Sequence, residues 1–236
     1  MPPDSTDRHA RASLVLPAFN EEAGLRATLR SVAALGLELE VIVVDDGSSD
    51  GTATEAERAG ALVARHPSNR GKGAALRTGV GLAGTDRIVT MDADSTYPAG
   101  AIPEMIALLD THDYVSAARR DGRGHIPVVN RLGNALIGLA IRRLSGSRLA
   151  DPLTGMYGIR RTAFLDLHPW SEGFGIETEL AMKVAARSLR TAELWIEYGP
   201  REGDSKLRPL RDGMGIMRTI LGVALEARVP RRRTAY

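Results

Sequence analysis

Asp92 and Asp94, two residues apart, follow the apolar run Ile88-Val89-Thr90-Met91. Carboxylates spaced this way at a strand end can share a hard divalent cation with the oxygens of a diphosphate. Such a cation offsets the charge that grows on a departing phosphate group. Taken alone, a D-x-D pair also fits a capped turn. Two further acidic clusters stand at the ends of apolar runs: Asn20-Glu21-Glu22 after Ser13–Leu16, and Asp45-Asp46-Gly47-Ser48 after Glu40–Val44. The first or second carboxylate of the Asp45-Asp46 pair can accept a base-ring N–H or a ribose hydroxyl, or can serve as an Asp-rich turn. Asn69-Arg70-Gly71-Lys72-Gly73 opens a helical pattern. It lacks the third glycine of a dinucleotide fingerprint. It is either a plain helix start or an anion site made of N–H groups and the Lys72 ammonium.

These residues need a scaffold that brings three strand ends to one crevice. Five apolar runs, Ser13–Leu16, Glu40–Val44, Ala61–Ala64, Arg87–Met91 and Tyr114–Ala117, alternate with helical patterns. That alternation predicts a mostly parallel α/β sheet flanked by helices on both faces. In such sheets ligands bind beyond the carboxyl ends of the strands, where the strand order reverses. Asn20 is expected to cap the first helix and Ser48-Ser49-Asp50 to precede the second. Gly71 opens a third helix through about Leu82, and Pro98–Pro103 leads into a fourth through about Leu109. Beyond Arg120 the spacing predicts a loop at Asp121–Gly124 and a helix over Val128–Leu144. A Gly/Pro-punctuated loop over Asp151–Gly158 follows, then a helix over Ile176–Ser188 and a strand over Glu193–Tyr198. A charged loop over Arg201–Pro209 and an amphipathic helix over Arg211–Arg228 complete the pattern. With no internal repeat or linker, residues 12–228 read as one domain, its halves 12–118 and 119–228, between a flexible tail at 1–11 and a basic tail at 229–236.

Composition narrows the classes. There is no cysteine, so disulfides, thiolate metal sites and a cysteine nucleophile are excluded. The longest apolar stretches are broken by Arg142-Arg143 and by Arg218, so no membrane span is expected. The formal charge is only +2, yet from Arg201 to Tyr236 nine Arg/Lys face four Asp/Glu. A basic end suits phosphate or an anionic surface. Aromatic residues make up 4% of the chain, too few for base-stacking platforms, so a nucleic-acid partner is not expected.

In their order and spacing, Pro17-Ala18-Phe19-Asn20-Glu21-Glu22, Val43-Val44-Asp45-Asp46-Gly47-Ser48-Ser49-Asp50-Gly51-Thr52, Arg70-Gly71-Lys72-Gly73-Ala74-Ala75 and Met91-Asp92-Ala93-Asp94-Ser95-Thr96-Tyr97-Pro98 resemble glycosyltransferase family 2, of the GT-A fold. Asp151-Pro152-Leu153-Thr154-Gly155-Met156 and Arg201-Glu202-Gly203-Asp204-Ser205-Lys206-Leu207 are similar to segments of its polyprenyl- (dolichyl-) phosphate mannose synthase branch. The resemblance implies a nucleotide-sugar pocket lined by Pro17, Ala18, Asn20, Glu21, Asp45, Asp46, Lys72, Asp92, Ala93, Asp94 and Arg201. It also implies Mg²⁺ or Mn²⁺ on Asp92 and Asp94, and a catalytic group of Asp94, Arg119, Arg131 and Lys206. Arg131, Ser205, Lys206 and Glu179 would bind the acceptor.

The implied reaction is inverting transfer of a hexose from GDP-mannose or UDP-glucose to a polyprenyl phosphate, by an enzyme peripheral on the cytoplasmic face of the membrane. Two departures stand out. Asp94-Ser95-Thr96-Tyr97-Pro98-Ala99 replaces a more usual Asp-Leu-x-His/Asp-Pro-Pro, and Glu177 adds a carboxylate beside Glu179. An extra carboxylate could act as base toward a hydroxyl acceptor, so the same donor chemistry on a soluble hydroxyl stays open.

Overall fold

The computed structural model describes residues 11–120, 128–201 and 209–226. Five strands and the helices between them build the first half: β1 (Ala12–Ala18), α1 (Glu22–Ala33), β2 (Leu39–Asp45), α2 (Thr52–Arg58), β3 (Leu62–Arg65), α3 (Lys72–Leu82), β4 (Arg87–Thr90), a 3₁₀ turn (Ala99–Ala101), α4 (Ile102–Leu108) and β5 (Tyr114–Arg120). The second half adds α5 (Val128–Ser145), β6 (Tyr157–Arg160), α6 (Arg161–Leu167), α7 (Ile176–Ala186), β7 (Thr191–Glu197) and α8 (Pro209–Glu226).

The sheet order is β3-β2-β1-β4-β6-β5-β7. All pairings are parallel except those of β6, which runs antiparallel to β4 and β5. Strand alternation sends Leu14, Leu16 and Val43 to one face, against Leu25, Leu29, Ile102 and Met105 of α1 and α4. Val15, Ile42 and Val44 face the other way, against Leu76 and Val80 of α3 and Leu180 and Val184 of α7. Helices therefore cover both faces, which is why the strands read as nearly continuous apolar runs. A third cluster, Ile141, Met182, Ile216, Ile220 and Val223, joins α5, α7 and α8.

Two expectations are corrected. The segment read as loop through Gly158 turns at Met156 into the buried strand β6, and α6 follows it directly. Four residues with a central glycine carry too little periodicity to show themselves. The glycine packs closely, for a Cβ at Gly158 would sit 3.1 Å from Leu109 Cδ1. Asn20 does not cap α1. It adopts φ 52°, and its side-chain oxygen accepts the Ser49 N–H at 2.8 Å. Asp50 instead serves both helix starts, accepting the Glu22 N–H at 3.3 Å and the Thr52 N–H at 3.0 Å. The loop Asp121–Gly124 and the two tails expected at 1–11 and 229–236 fall outside the described residues, apart from Arg11.

Candidate active site

The strand order reverses between β1 and β4, and the crevice beyond their carboxyl ends holds the acidic residues. Asp92 lies just past β4, where its Oδ1 meets the Lys72 ammonium at 2.5 Å. Lys72 is the first residue of α3, and its Nζ also reaches Glu177 Oε1 at 2.6 Å. Gly71 makes that placement possible: its φ is 94°, and a Cβ there would lie 2.5 Å from the carbonyl oxygen of Glu172. Burial opposes the charge on Lys72, yet Asp92 and Glu177 outweigh it and hold the ammonium well above the ordinary lysine range. The Glu177 carboxyl is raised, chiefly by burial, with Lys72 pulling the other way.

Asp94 is more deeply buried than Asp92, their side chains being 4% and 27% exposed. Its Oδ1 accepts the Thr96 N–H at 3.1 Å and the Thr96 hydroxyl at 2.6 Å. Its Oδ2 receives Arg201 at 2.6 Å, while the second amino group of Arg201 donates to Glu21. Burial, followed by the charge of Asp92, raises the Asp94 carboxyl against the pull of Thr96 and Arg201. Each carboxylate of the D-x-D pair thus carries one cationic side chain, Lys72 from the first half and Arg201 from the second. Helix α1 closes down on this turn through Gly24, where a Cβ would lie 2.8 Å from both Ala93 O and Asp94 Cα.

The wall formed by β1 and β2 is held by its own hydrogen bonds. Pro17 and Ala18 pair with Val44 and Asp45 across the strands. Asp45 is fully buried, accepting the Ser48 N–H at 2.9 Å and Arg65 Nε at 3.2 Å. Asp46 accepts the N–H groups of Arg70 and Gly71 at 3.0 and 2.7 Å, and His66 Nδ1 lies 2.6 Å from it. Asp46 and His66 therefore anchor the turn that delivers Lys72. Sequence reasoning missed His66, since nothing in its neighbourhood along the chain points to Asp46.

On the opposite side, Arg119 makes a two-pronged pair with Asp151 at 2.6 and 2.9 Å and lies 5.4 Å from the centre of the Tyr198 ring. Tyr198 meets Tyr97 edge to face at 5.2 Å, and the Tyr97 hydroxyl accepts the Gly155 N–H at 2.7 Å. Burial drives that phenol above its ordinary pKa. Gly155 in turn packs on Asp92, for a Cβ there would fall 2.3 Å from Asp92 Oδ2. Arg119 and Asp92 are in this way tied through two tyrosines and a glycine. Ser205, Lys206 and the side chain of Arg131 lie outside the described residues.

Glu179 is one of the residues expected to bind the acceptor. It is fully buried, accepts the N–H groups of Trp170 and Ser171 at 2.9 and 2.7 Å, and pairs with Lys183 at 2.6 Å. Its carboxylate is consumed in holding the chain before α7, and Glu177 is the glutamate that joins Lys72 and Asp92.

Among the described residues no group of three or more His, Cys, Asp or Glu is arranged to hold a metal by itself. Two adjacent carboxylates fit Mg²⁺ or Mn²⁺ when diphosphate oxygens and water complete the shell, which is how Mg²⁺ is usually held at phosphate sites.

The family described as Glycosyl transferase family 2 matches residues 13–167, from β1 to the end of α6. A dolichyl-phosphate hexose transferase of Haloferax volcanii is 32% identical over 92% of this chain and 95% of its own length. A dolichol-phosphate mannosyltransferase of Mycosarcoma maydis is 30% identical over 86% of this chain and 76% of its own. Among solved structures, glucosyl-3-phosphoglycerate synthase of Mycobacterium tuberculosis, crystallised with Mn²⁺, UDP-glucose and phosphoglyceric acid, superposes with a TM-score of 0.72. It is 28% identical and covers 94% of this chain and 81% of that one. The same enzyme with Mg²⁺ and UDP gives a TM-score of 0.73 at 27% identity, covering the same shares of the two chains. The fold and the strand-end site define a GT-A glycosyltransferase. This chain belongs to glycosyltransferase family 2, in its polyprenyl-phosphate sugar transferase branch.

Proposed function

We propose that this protein is a divalent-cation-dependent, inverting hexosyltransferase that moves mannose or glucose from a nucleoside-diphosphate sugar to a polyprenyl phosphate at the cytoplasmic face of a membrane. The observation that carries this reading is the pairing of Asp92 with Lys72 and of Asp94 with Arg201: two carboxylates for a cation beside two cations for a diphosphate. Mg²⁺ or Mn²⁺ bound by Asp92 and Asp94 would offset the negative charge gained by the leaving nucleoside diphosphate. Arg201 would turn from Asp94 to a diphosphate oxygen, and Lys72, released by Asp92 but still held by Glu177, would offer a further N–H to the diphosphate. Pro17, Ala18, Asn20, Glu21, Asp45, Asp46 and Ala93 would wall the nucleoside.

An acceptor phosphate oxygen forms the new bond to the anomeric carbon as the bond to the donor diphosphate breaks, its electron pair leaving with the nucleoside diphosphate. The phosphate is already ionised at neutral pH and needs no strong base. Arg119, Arg131, Ser205 and Lys206 would hold it in line against its repulsion from the donor.

The acceptor's lipid character is supported by the relatives and by one surface of the protein. Helices α5 and α8 pack on each other through Ile141, Ile216 and Ile220 and leave Leu136, Leu139, Met214, Met217, Leu221 and Leu225 exposed. Arg142, Arg143 and Arg218 are also exposed on these helices. Among the described residues no helix is long and apolar enough to cross a membrane. An apolar face with arginines fits lodging in an anionic leaflet, where each basic residue contributes about 1 kcal/mol.

Similarity to an enzyme crystallised with phosphoglyceric acid favours a second reading, transfer to a hydroxyl of a soluble acceptor. One experiment separates them: radiolabelled GDP-mannose or UDP-glucose incubated with Mn²⁺, with and without polyprenyl phosphate. Label entering the organic phase only with the lipid supports the first reading, and label found only in a water-soluble product overturns it.

A further inference from the structure

Glu177 is the buried carboxylate that the reaction above does not use. It lies in the first turn of α7 with its side chain 6% exposed, and Lys72 stands between it and Asp92. One ammonium therefore serves two carboxyl groups, at 2.5 Å from Asp92 and 2.6 Å from Glu177. The second Asp92 oxygen faces Gly155, and Asp92 is the most exposed of the three side chains. The hydroxyl of Tyr157, buried under the same cluster, has no hydrogen-bond partner among the described residues.

A buried ammonium stripped of its only partner is strongly destabilised. Were Asp92 the sole protein partner of Lys72, a cation drawing Asp92 away would leave that ammonium without a carboxylate. The exchange would then be opposed by the protein itself. With Glu177 in place, Lys72 keeps a carboxyl partner while Asp92 turns toward the crevice.

We infer that Glu177 is a positioning residue: by sharing Lys72 it frees Asp92 for the cation–diphosphate complex. The inference rests on the reading of Asp92 and Asp94 as the cation site. It assigns Glu177 no contact with sugar or acceptor.

The test is Mn²⁺ binding, followed by electron paramagnetic resonance in the presence of UDP and, separately, of GDP. Glu177→Gln is expected to weaken Mn²⁺ binding on the order of tenfold, the usual scale for a group that supports a metal ligand. Glu177→Asp, which keeps the charge, should recover part of the loss. In a Lys72→Met background the Glu177→Gln change should cost nothing further, because its effect runs through Lys72. Equal Mn²⁺ affinity in Glu177→Gln and wild type overturns the inference, as does an undiminished loss in the Lys72→Met background. A loss seen with UDP-glucose or GDP-mannose but absent with UDP and GDP also overturns it, in favour of direct sugar contact. If Glu177→Gln does not fold, Glu177→Asp compared with Glu177→Ala decides by the same criteria. Should wild-type protein take up no Mn²⁺ with either nucleotide, the cation site itself is disproved and this inference with it.

Discussion

Arg201 bridges Asp94 and Glu21, residues 107 and 180 positions away along the chain, with one amino group on each. A side chain that leads into the segment before α8 thereby clamps the end of β4 to the start of α1. If Asp94 holds a divalent cation as proposed, the guanidinium on its Oδ2 would compete with that cation until a diphosphate offered Arg201 another partner.

Arg201→Ala should therefore act in opposite directions on two measurements. Mn²⁺ alone should bind more tightly than to wild type, since Asp94 Oδ2 is released. Binding of UDP or GDP together with Mn²⁺ should weaken by about tenfold or more, the worth of a hydrogen bond to a charged group. Titration calorimetry with and without nucleotide checks both signs, and parallel changes in the two affinities would refute the exchange.

Two glycine substitutions should separate site geometry from fold stability. Gly155→Ala places a Cβ 2.3 Å from Asp92 Oδ2, the end of a side chain already drawn to Lys72. That carboxylate can give way, so Mn²⁺–nucleotide binding should fall while the melting temperature stays within a few degrees of wild type. Gly73→Ala places a Cβ 2.1 Å from the backbone carbonyl of Ser171, which has no such freedom. Here thermal denaturation should show a loss of about 1–3 kcal/mol, the cost of overpacking.

The pair Asp113–Arg190 supplies an acid-sensitive contribution to stability. Arg190 donates through its amino group, Nε and backbone N–H at 2.8, 3.1 and 3.0 Å, and its hydrogen bonds, more than any other cause, hold the Asp113 carboxyl below the ordinary value. A carboxyl depressed in the folded state stabilises at pH above its unfolded value and loses that contribution as pH falls through the folded one. Asp113→Asn should lower the melting temperature at pH 7 by no more than about 2–4 °C, because solvent screens the pair. The difference from wild type should shrink toward zero as pH falls below the ordinary aspartate range. A difference that grows on acidification would contradict this assignment.

On α8, Leu221 and Leu225 are 56% and 62% exposed, so they contribute little to the core. Leu221→Ser combined with Leu225→Ser should reduce co-sedimentation with anionic liposomes severalfold, following the loss of buried apolar area in the leaflet, and leave thermal stability nearly unchanged. Removal of Val229–Tyr236, with its three arginines, should weaken the same binding without moving the melting temperature. Unaltered sedimentation of both variants would exclude this face and this tail from membrane contact.

The parallel core and the acidic strand ends were legible in the sequence because both are local. An apolar run that ends in aspartate announces a buried strand and its carboxyl edge within a few residues. Asp92 and Asp94 needed nothing beyond their position after Ile88–Met91 to be singled out. By contrast, β6 is too short for its period to show, and its place between β4 and β5 depends on pairing with strands far off in the chain.

What only the tertiary structure decided is which of several similar residues points where. Glu177 and Glu179 are the same residue type two positions apart, and two residues around a helix amount to a rotation of about 200°. One therefore meets Lys72 while the other binds the N–H groups of Trp170 and Ser171. The fold also brings Arg70, Gly71 and His66 to the Asp46 carboxylate, contacts that the sequence did not announce. Residue type and spacing determined that carboxylates would gather at the strand ends and could hold a cation. Their partners, Lys72 (shared with Glu177) for Asp92 and Arg201 for Asp94, were decided by packing across 20 to 107 residues of chain, because ionic contacts depend on distance in space and not on order in sequence.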